Sequence, residues 1–443
     1  MNFDEEFVSD NIKRDEGGEL LFAGASVRSL AERYGTPLYL YDEERIRERI
    51  ATYKEAIASA FPEGSGVLYA SKAASFVRLY EIMREEDIGI DVVSSGEIYT
   101  ARLAGSPLER AYFHSNNKTD EDIAYAISSG VGYFVVDNEE ELFAINEEAE
   151  ARGIKQKILL RITPGIDPHT YAAVATGKVD SKFGSAIETG QAEMITRAAL
   201  SLGGIELSGF HCHVGSQVFD ATVFIKAADV MLNFISYIKN TLGYFPRELD
   251  LGGGFGVRYV MSQPTLDIRA SIFELADFMN GKARELSIPL PRILLEPGRS
   301  IVADSGMTVY TVGTVKRIPG YKSYVSVDGG MADNPRFALY GSPYAMATVS
   351  APEGECESYS VVGRCCESGD ILQENVLLPK SIKRRDLLAC FTTGAYHFSM
   401  ASNYNRLLRP PVVMISGGDS YVAVERETLE HLTALEERSH ISV

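Results

Sequence analysis

Lys72 closes the run Tyr69-Ala70-Ser71-Lys72, in which apolar residues lead straight into an amine. A lysine at the end of an apolar strand is partly stripped of water. That favours the neutral amine and makes Lys72 a candidate Schiff-base nucleophile. The bland alternative is a lysine leading its stem out of a strand end. Gly252-Gly253-Gly254-Phe255-Gly256 offers backbone N–H groups that can cradle a phosphate. Valine at 257 breaks the GxGxxG spacing, so the dinucleotide fingerprint is absent. Glu296-Pro297-Gly298-Arg299 adds a second glycine backbone and a guanidinium, and Ser216 adds a hydroxyl for the same anion. On a strand, His211 and His213 share a face and Cys212 points away. No carboxylate stands near them at ligand spacing, so they read as packed or ring-stacking histidines and no metal centre is expected. Cys365-Cys366-Glu367-Ser368 sets a thiol beside a carboxylate in a turn bounded by glycines. The carboxylate disfavours the thiolate, which keeps the thiol available as a proton donor. Arg336 and Tyr340 can clamp a carboxylate between them, the arginine bidentately.

Most of these residues fall just after short apolar runs. The runs are Val67–Ala70, Ile90–Val93, Ala111–Phe113, Tyr133–Val136, Ile158–Ile162, Leu207–Cys212, Glu248–Leu251 and Ile293–Leu295. Amphipathic segments lie between them, among them Phe76–Glu86, Asp120–Ser128, Glu139–Ala151 and Thr222–Leu242. Strands separated by helices predict parallel βαβ units, and eight in this length match a (β/α)8 TIM-like barrel. An open doubly wound sheet is the competing arrangement. The polar or glycine residues that end most runs favour the barrel, because its active sites collect at the C-terminal ends of the strands.

After Glu296 the texture changes to short β-rich runs between Gly/Pro turns, including Thr308–Lys316, Ser323–Val327, Leu387–Phe391 and Val412–Ser416, until a helical stretch at Glu427–Glu437. This predicts a second, mainly antiparallel β domain that also takes in the N-terminal pieces Glu19–Ala23 and Pro37–Tyr41. The expected division is an N-terminal segment 1–43 joining the β domain, a barrel over 44–305, and the β domain proper over 306–443.

The 443 residues carry 43 basic and 61 acidic side chains, a formal charge of −18. Such a surface repels nucleic-acid phosphates and anionic lipid, so neither is an expected partner. Five cysteines, two of them adjacent and none in a CxxC pair, argue against a disulfide framework and for a reducing cytoplasm. Met1–Asp10 is acidic and lacks an apolar core, unlike a signal peptide, and no apolar run is read as long enough to span a membrane.

Taken together and in order, these pieces resemble the pyridoxal-phosphate decarboxylases built from an alanine-racemase-like barrel and a β domain. The matching runs are Tyr69–Lys72, Gly89–Glu97, His211–Gln217, Gly252–Gly254, Glu296–Arg299, Cys366–Ser368, Gly394–Tyr396 and Met400–Asn405. The resemblance implies pyridoxal 5'-phosphate as cofactor, held by Lys72 through a Schiff base. It implies that His213 stacks on the ring, that Glu296 faces the ring nitrogen, and that Ser216, Gly253, Gly254, Gly298 and Arg299 hold the phosphate. Cys366 becomes the proton donor. Arg299, Arg336, Tyr340, Glu367 and Tyr396 become substrate contacts, Tyr396 also touching the cofactor. The family's shared sites imply a homodimer in which Cys366 and Glu367 serve the partner's barrel.

Glutamate after the cysteine resembles the branch of the family acting on meso-2,6-diaminopimelate and releasing L-lysine; ornithine-acting members carry aspartate there. Arg364-Cys365 and His397 depart from the family pattern, which keeps open another basic amino acid or carboxynorspermidine as substrate. A non-catalytic regulatory paralogue is a further alternative, against which both Lys72 and Cys366 stand.

Overall fold

The computed structural model describes residues 7–166, 181–352 and 354–436. Eight parallel strands pair in chain order: Gly66–Ala70, Gly89–Val92, Ala111–Phe113, Tyr133–Val136, Gln156–Thr163, Ile205–His211, Glu248–Asp250 and Arg292–Leu295. The eighth returns to the first, with Leu294 opposite Gly66 and Leu295 opposite Val67. That closure makes the sheet a barrel and rules out the open arrangement. A two-residue strand, Ser185–Ala186, adds to the fifth. Leu68, Tyr112, Val135, Leu159 and Leu294 pack in the interior. The sixth strand carries a bulge between Leu207 and Gly209. A Cβ on Gly209 would stand 2.0 Å from the Glu248 carbonyl oxygen, so only glycine lets the two strands approach there.

The crossover helices begin where the sequence supplies a cap. Ser94, Asn138, Asp220 and Asp267 each accept a backbone N–H of the first turn, and Thr119 forms a reciprocal capping box with Asp122. Ala221–Leu242 is long and apolar enough to cross a membrane by length and composition, a feature the sequence reading passed over. Its apolar face, including Phe224, Ala228, Met231, Leu232 and Ile235, is buried, which accounts for the composition.

The chain divides into two compact units. The barrel unit comprises Arg47–Val257 and Pro264–Ile301; the other comprises the described parts of Met1–Ile46 and Val302–Val443, together with Arg258–Gln263. The second unit holds a mainly antiparallel sheet in the order Ile371–Pro379, Cys356–Val362, Ser323–Val327, Gly306–Arg317, Leu38–Asp42, Val412–Ser416, Asp419–Val424. Leu38–Asp42 is an interior strand, as the apolar run at Pro37–Tyr41 predicts. It lies antiparallel to Gly306–Arg317 and parallel to Val412–Ser416.

Leu20–Phe22, expected in the same sheet, instead forms the middle of a separate three-stranded sheet with Ile12–Arg14 and Ala25–Ser26. Both its edges are already paired, so it joins the larger sheet mainly through side chains: Leu20 and Phe22 share a core with Leu38, Leu40, Met307 and Phe391, and one main-chain bond runs from the Leu20 N–H to the Val349 carbonyl at 2.8 Å. The helix Glu43–Ala60 was not anticipated; Ile46, Ile50, Tyr53 and Ile57 give it a buried stripe at helical spacing. Of the helix expected at Glu427–Glu437, Leu429–Thr433 is observed, and residue 437 lies outside the described residues. All five cysteines are free.

Candidate active site

Five barrel strands each deliver a polar residue to one cluster at their C-terminal ends, buried but for its lysine. Lys72 sits on the 3-10 turn Ser71–Ala73 that follows the first strand. Its side chain is 46% exposed, and its Nζ lies 4.0 Å from Asp91 Oδ2. Asp91, on the second strand, is buried, and neither carboxylate oxygen has a hydrogen-bond partner. Burial pushes its pKa up. His114 follows the third strand; its Nε2 is 3.8 Å from Asp91 Oδ1 and 2.7 Å from Glu296 Oε1. Glu296 Oε2 is in turn 3.3 Å from Nε2 of His211, the last residue of the sixth strand. The two imidazoles pack edge to face, with centroids 4.9 Å apart.

This overturns one expectation. A carboxylate does stand beside His211, supplied in space by Glu296 from the eighth strand rather than by a sequence neighbour. Together with His114 it brings three donor atoms within 4.8 Å of one another. Their direct N···O contacts make polar pairing the arrangement present. Nor do His211 and His213 share a strand face: the strand ends at His211, and His213 lies on the loop beyond, where its Nδ1 accepts from the Gly253 N–H at 3.3 Å.

Burial drives the His211 imidazole down to about 4, against the pull of Glu296, so it is neutral at pH 7. Burial, with Lys72 and Arg161 nearby, also holds His213 well below its usual range. For Glu296, burial favours protonation, but the facing His114 and His211 outweigh it and keep the carboxyl well below the usual carboxylate range. Asp250, on the seventh strand, is pushed well above that range by burial and by Glu296. Two neighbouring carboxyls are thus pushed apart, Glu296 towards its ionised form and Asp250 towards its protonated one.

Beside this cluster, three loops form a cradle of bare main chain. A Cβ on Gly253 would stand 2.1 Å from the Glu296 carbonyl oxygen, and one on Gly254, at φ +115°, 2.1 Å from that of Gly215. The Val218 N–H donates to the Gly254 carbonyl at 2.9 Å. Arg299, buried, donates through Nη2 to Ser216 Oγ at 3.0 Å. Gly298 abuts the Ala70 carbonyl, where a Cβ would come within 2.8 Å. A backbone anion cradle beside a buried carboxylate and an accessible lysine fits a phosphorylated pyridine aldehyde.

The second unit presents its own group of expected site residues. Arg336 opens the short helix Arg336–Tyr340 and is buried, its Nε without a hydrogen-bond partner. Its guanidinium carbon lies 4.7 Å from the Tyr340 ring centroid and 5.0 Å from that of Tyr396. Cys366, exposed, and Tyr396 are non-glycine residues at φ +52° and +63°; such strain collects at functional sites. The turn carrying Cys366 is tied down by buried Asp370, which accepts the N–H groups of Met331 at 2.6 Å and Cys365 at 2.7 Å. The Asn405 amide bonds the Cys365 carbonyl.

Glu367 is exposed and spends its carboxylate on the same turn, accepting from Gly369 N at 2.8 Å. Burial, and after it Asp370, raise the Cys365 thiol to about 11, so Cys365 stays protonated. His397 is fully buried, edge-on to Tyr344 at 5.0 Å.

The barrel mouth thus gathers Lys72, His213, Ser216, Gly253, Gly254, Glu296, Gly298 and Arg299, while Arg336, Tyr340 and Tyr396 converge in the other unit. Asp91, His114, Arg161 and Asp250 were not assigned roles from sequence. Three of the four could have been: Asp91, His114 and Asp250 are polar residues at or just past strand C-terminal ends.

Residues 43–303 match the family described as "Pyridoxal-dependent decarboxylase, pyridoxal binding domain". The diaminopimelate decarboxylase of Bacillus subtilis (strain 168) is 42% identical over 431 residues, covering 97% of this chain and 98% of that protein. Among solved structures, the diaminopimelate decarboxylase of M. jannaschii in complex with L-lysine superposes with a TM-score of 0.89 at 33% identity, covering 97% of this chain and 98% of that one. That of Helicobacter pylori, also complexed with L-lysine, gives 0.84 at 32% identity, covering 92% and 98%.

Proposed function

This chain belongs to the pyridoxal-dependent decarboxylases, and from that premise we propose that it converts meso-2,6-diaminopimelate to L-lysine and carbon dioxide, a step of lysine biosynthesis. The observation that carries the chemistry is the ionised Glu296 buried between two imidazoles, beside a main-chain anion cradle and Lys72. Pyridoxal phosphate supplies an electron sink for the pair left behind when a carboxyl group departs. Lys72 is the covalent attachment point. Glu296 would keep the ring nitrogen protonated, and His213 would pack against the ring. Ser216, Gly253, Gly254, Gly298 and Arg299 bind the phosphate, and Cys366 returns a proton to the carbon that has lost its carboxyl. Arg299, Arg336, Tyr340, Glu367 and Tyr396 bind the substrate, whose far end carries both an ammonium and a carboxylate. The working form is a homodimer, each site taking Cys366 and Glu367 from the partner. Five free thiols fit a reducing cytoplasm.

Product analysis after separate incubation with diaminopimelate, lysine, ornithine, arginine and carboxynorspermidine tests the substrate. Lysine formed from diaminopimelate, with the others turned over far more slowly, is expected; cadaverine or putrescine as main product would replace the proposal. Arg336 offers a sharper test, because a buried guanidinium with a free Nε is suited to a carboxylate. Losing one such contact costs on the order of 2–5 kcal/mol, so Arg336→Ala should lower kcat/KM for diaminopimelate at least about tenfold. Substrates lacking the distal carboxylate should lose much less. Equal losses would assign Arg336 to the fold.

A further inference from the structure

The Glu296 carboxylate is contacted on both oxygens, by His114 Nε2 at 2.7 Å on Oε1 and by His211 Nε2 at 3.3 Å on Oε2. The two contacts differ. His211 ends a strand and is hydrogen-bonded. His114 lies one residue past its strand, and its Nε2 stands 2.7 Å from Oε1 although neither atom completes a hydrogen bond. His114 also lies near Asp91, which faces Lys72. Lys72, Asp91, His114, Glu296 and His211 therefore form one continuous line across the mouth.

We propose that His114 is a positioning residue for the decarboxylation: by turning its Nε2–H onto Glu296 Oε1, 2.7 Å away, it fixes the carboxylate that faces the cofactor's ring nitrogen. The inference rests on the cofactor reading above. Its physical basis is the charge around Glu296. Asp91 and Asp250 crowd it with further carboxyl groups, and Arg161, His213 and Cys212 complete its electrostatic surroundings. His211 secures one oxygen alone. Without a donor on the other, the carboxylate is free to turn or to take up a proton, and a protonated Glu296 no longer balances the charge of a protonated ring nitrogen. The loop bearing His114 is held by Lys118, whose buried ammonium donates to the carbonyls of Ser115 and Val135 and to Glu141. The ring thus stands on a fixed base.

The test compares three full-length variants with wild type. His114→Gln places an amide N–H near the position of Nε2. His114→Asn is equally polar but too short to reach, and His114→Leu fills the volume without a donor. Two readouts are taken besides turnover: the affinity for added pyridoxal phosphate, and the pH dependence of the bound cofactor's visible absorbance. Leu and Asn should weaken cofactor binding at least about tenfold and displace the absorbance profile along the pH axis. Gln should stay within about threefold of wild type and keep the profile. Because Gln and Asn differ only in reach, the comparison stands even if the leucine variant misfolds. Gln behaving like Asn, or Asn behaving like wild type, would overturn the inference. Wild-type protein that binds no pyridoxal phosphate would instead defeat the cofactor reading on which it rests.

Discussion

Lys72→Ala should lower kcat/KM for diaminopimelate by at least about a thousandfold, roughly 4 kcal/mol of barrier. Treating the wild-type holoenzyme with borohydride should fix the cofactor to the peptide that contains Lys72. The competing residue is Lys118, which also follows a barrel strand. Geometry separates the two. Lys118 is buried, and its ammonium is committed to Glu141 at 2.7 Å, to the Val135 carbonyl at 2.8 Å and to the Ser115 carbonyl at 3.2 Å, which uses all three of its protons. Lys72 stands half-exposed on a turn beside the glycine cradle, with Asp91 4.0 Å away to orient it. Label recovered on the Lys118 peptide, or on none, would remove Lys72 from the mechanism.

Cys366→Ala should cost at least about a hundredfold in kcat, the usual scale for losing a positioned general acid. Complementation tests the shared site more severely. If each site takes Lys72 from one chain and Cys366 from the other, a heterodimer of Lys72→Ala and Cys366→Ala chains has one doubly damaged site and one intact site. Mixing two nearly inactive proteins under conditions that exchange subunits should then restore about half the wild-type activity per heterodimer, or about a quarter over a random mixture. Mass spectrometry of differently tagged chains verifies the exchange. Complete exchange with no recovery would place both residues in one chain's site or remove Cys366 as donor.

The parts legible in the sequence were those whose signal is local. Each barrel strand is a short apolar run ending in polar residues, so the order of strands and the loops bearing Gly253, Gly254 and Arg299 could be read directly. Glu296 was readable as a strand-end acid. Its two imidazole neighbours were not, because His114 and His211 reach it from strands far away in sequence and meet only once the barrel closes. The same applies to Arg336, whose stacking on Tyr340 follows helical spacing but whose second face is covered by Tyr396 from a distant turn. Leu20–Phe22 pairs elsewhere than expected because a short apolar run announces a strand without saying which edges are free. Glu43–Ala60 was overlooked because its charged residues mask a narrow apolar stripe.

The glycine cradle has a consequence for how the enzyme meets a changing environment. In the proposed reading the phosphate meets peptide N–H groups, the Ser216 hydroxyl and the Arg299 guanidinium, none of which titrates in any physiological range. The one imidazole that touches the glycines, His213, accepts from the Gly253 N–H and is held neutral by burial, so it adds no charge to that end of the site. Sensitivity to acid passes to the guest: a phosphate monoester takes up its second proton near about pH 6, so retention of the cofactor weakens in acid through the phosphate's own ionisation.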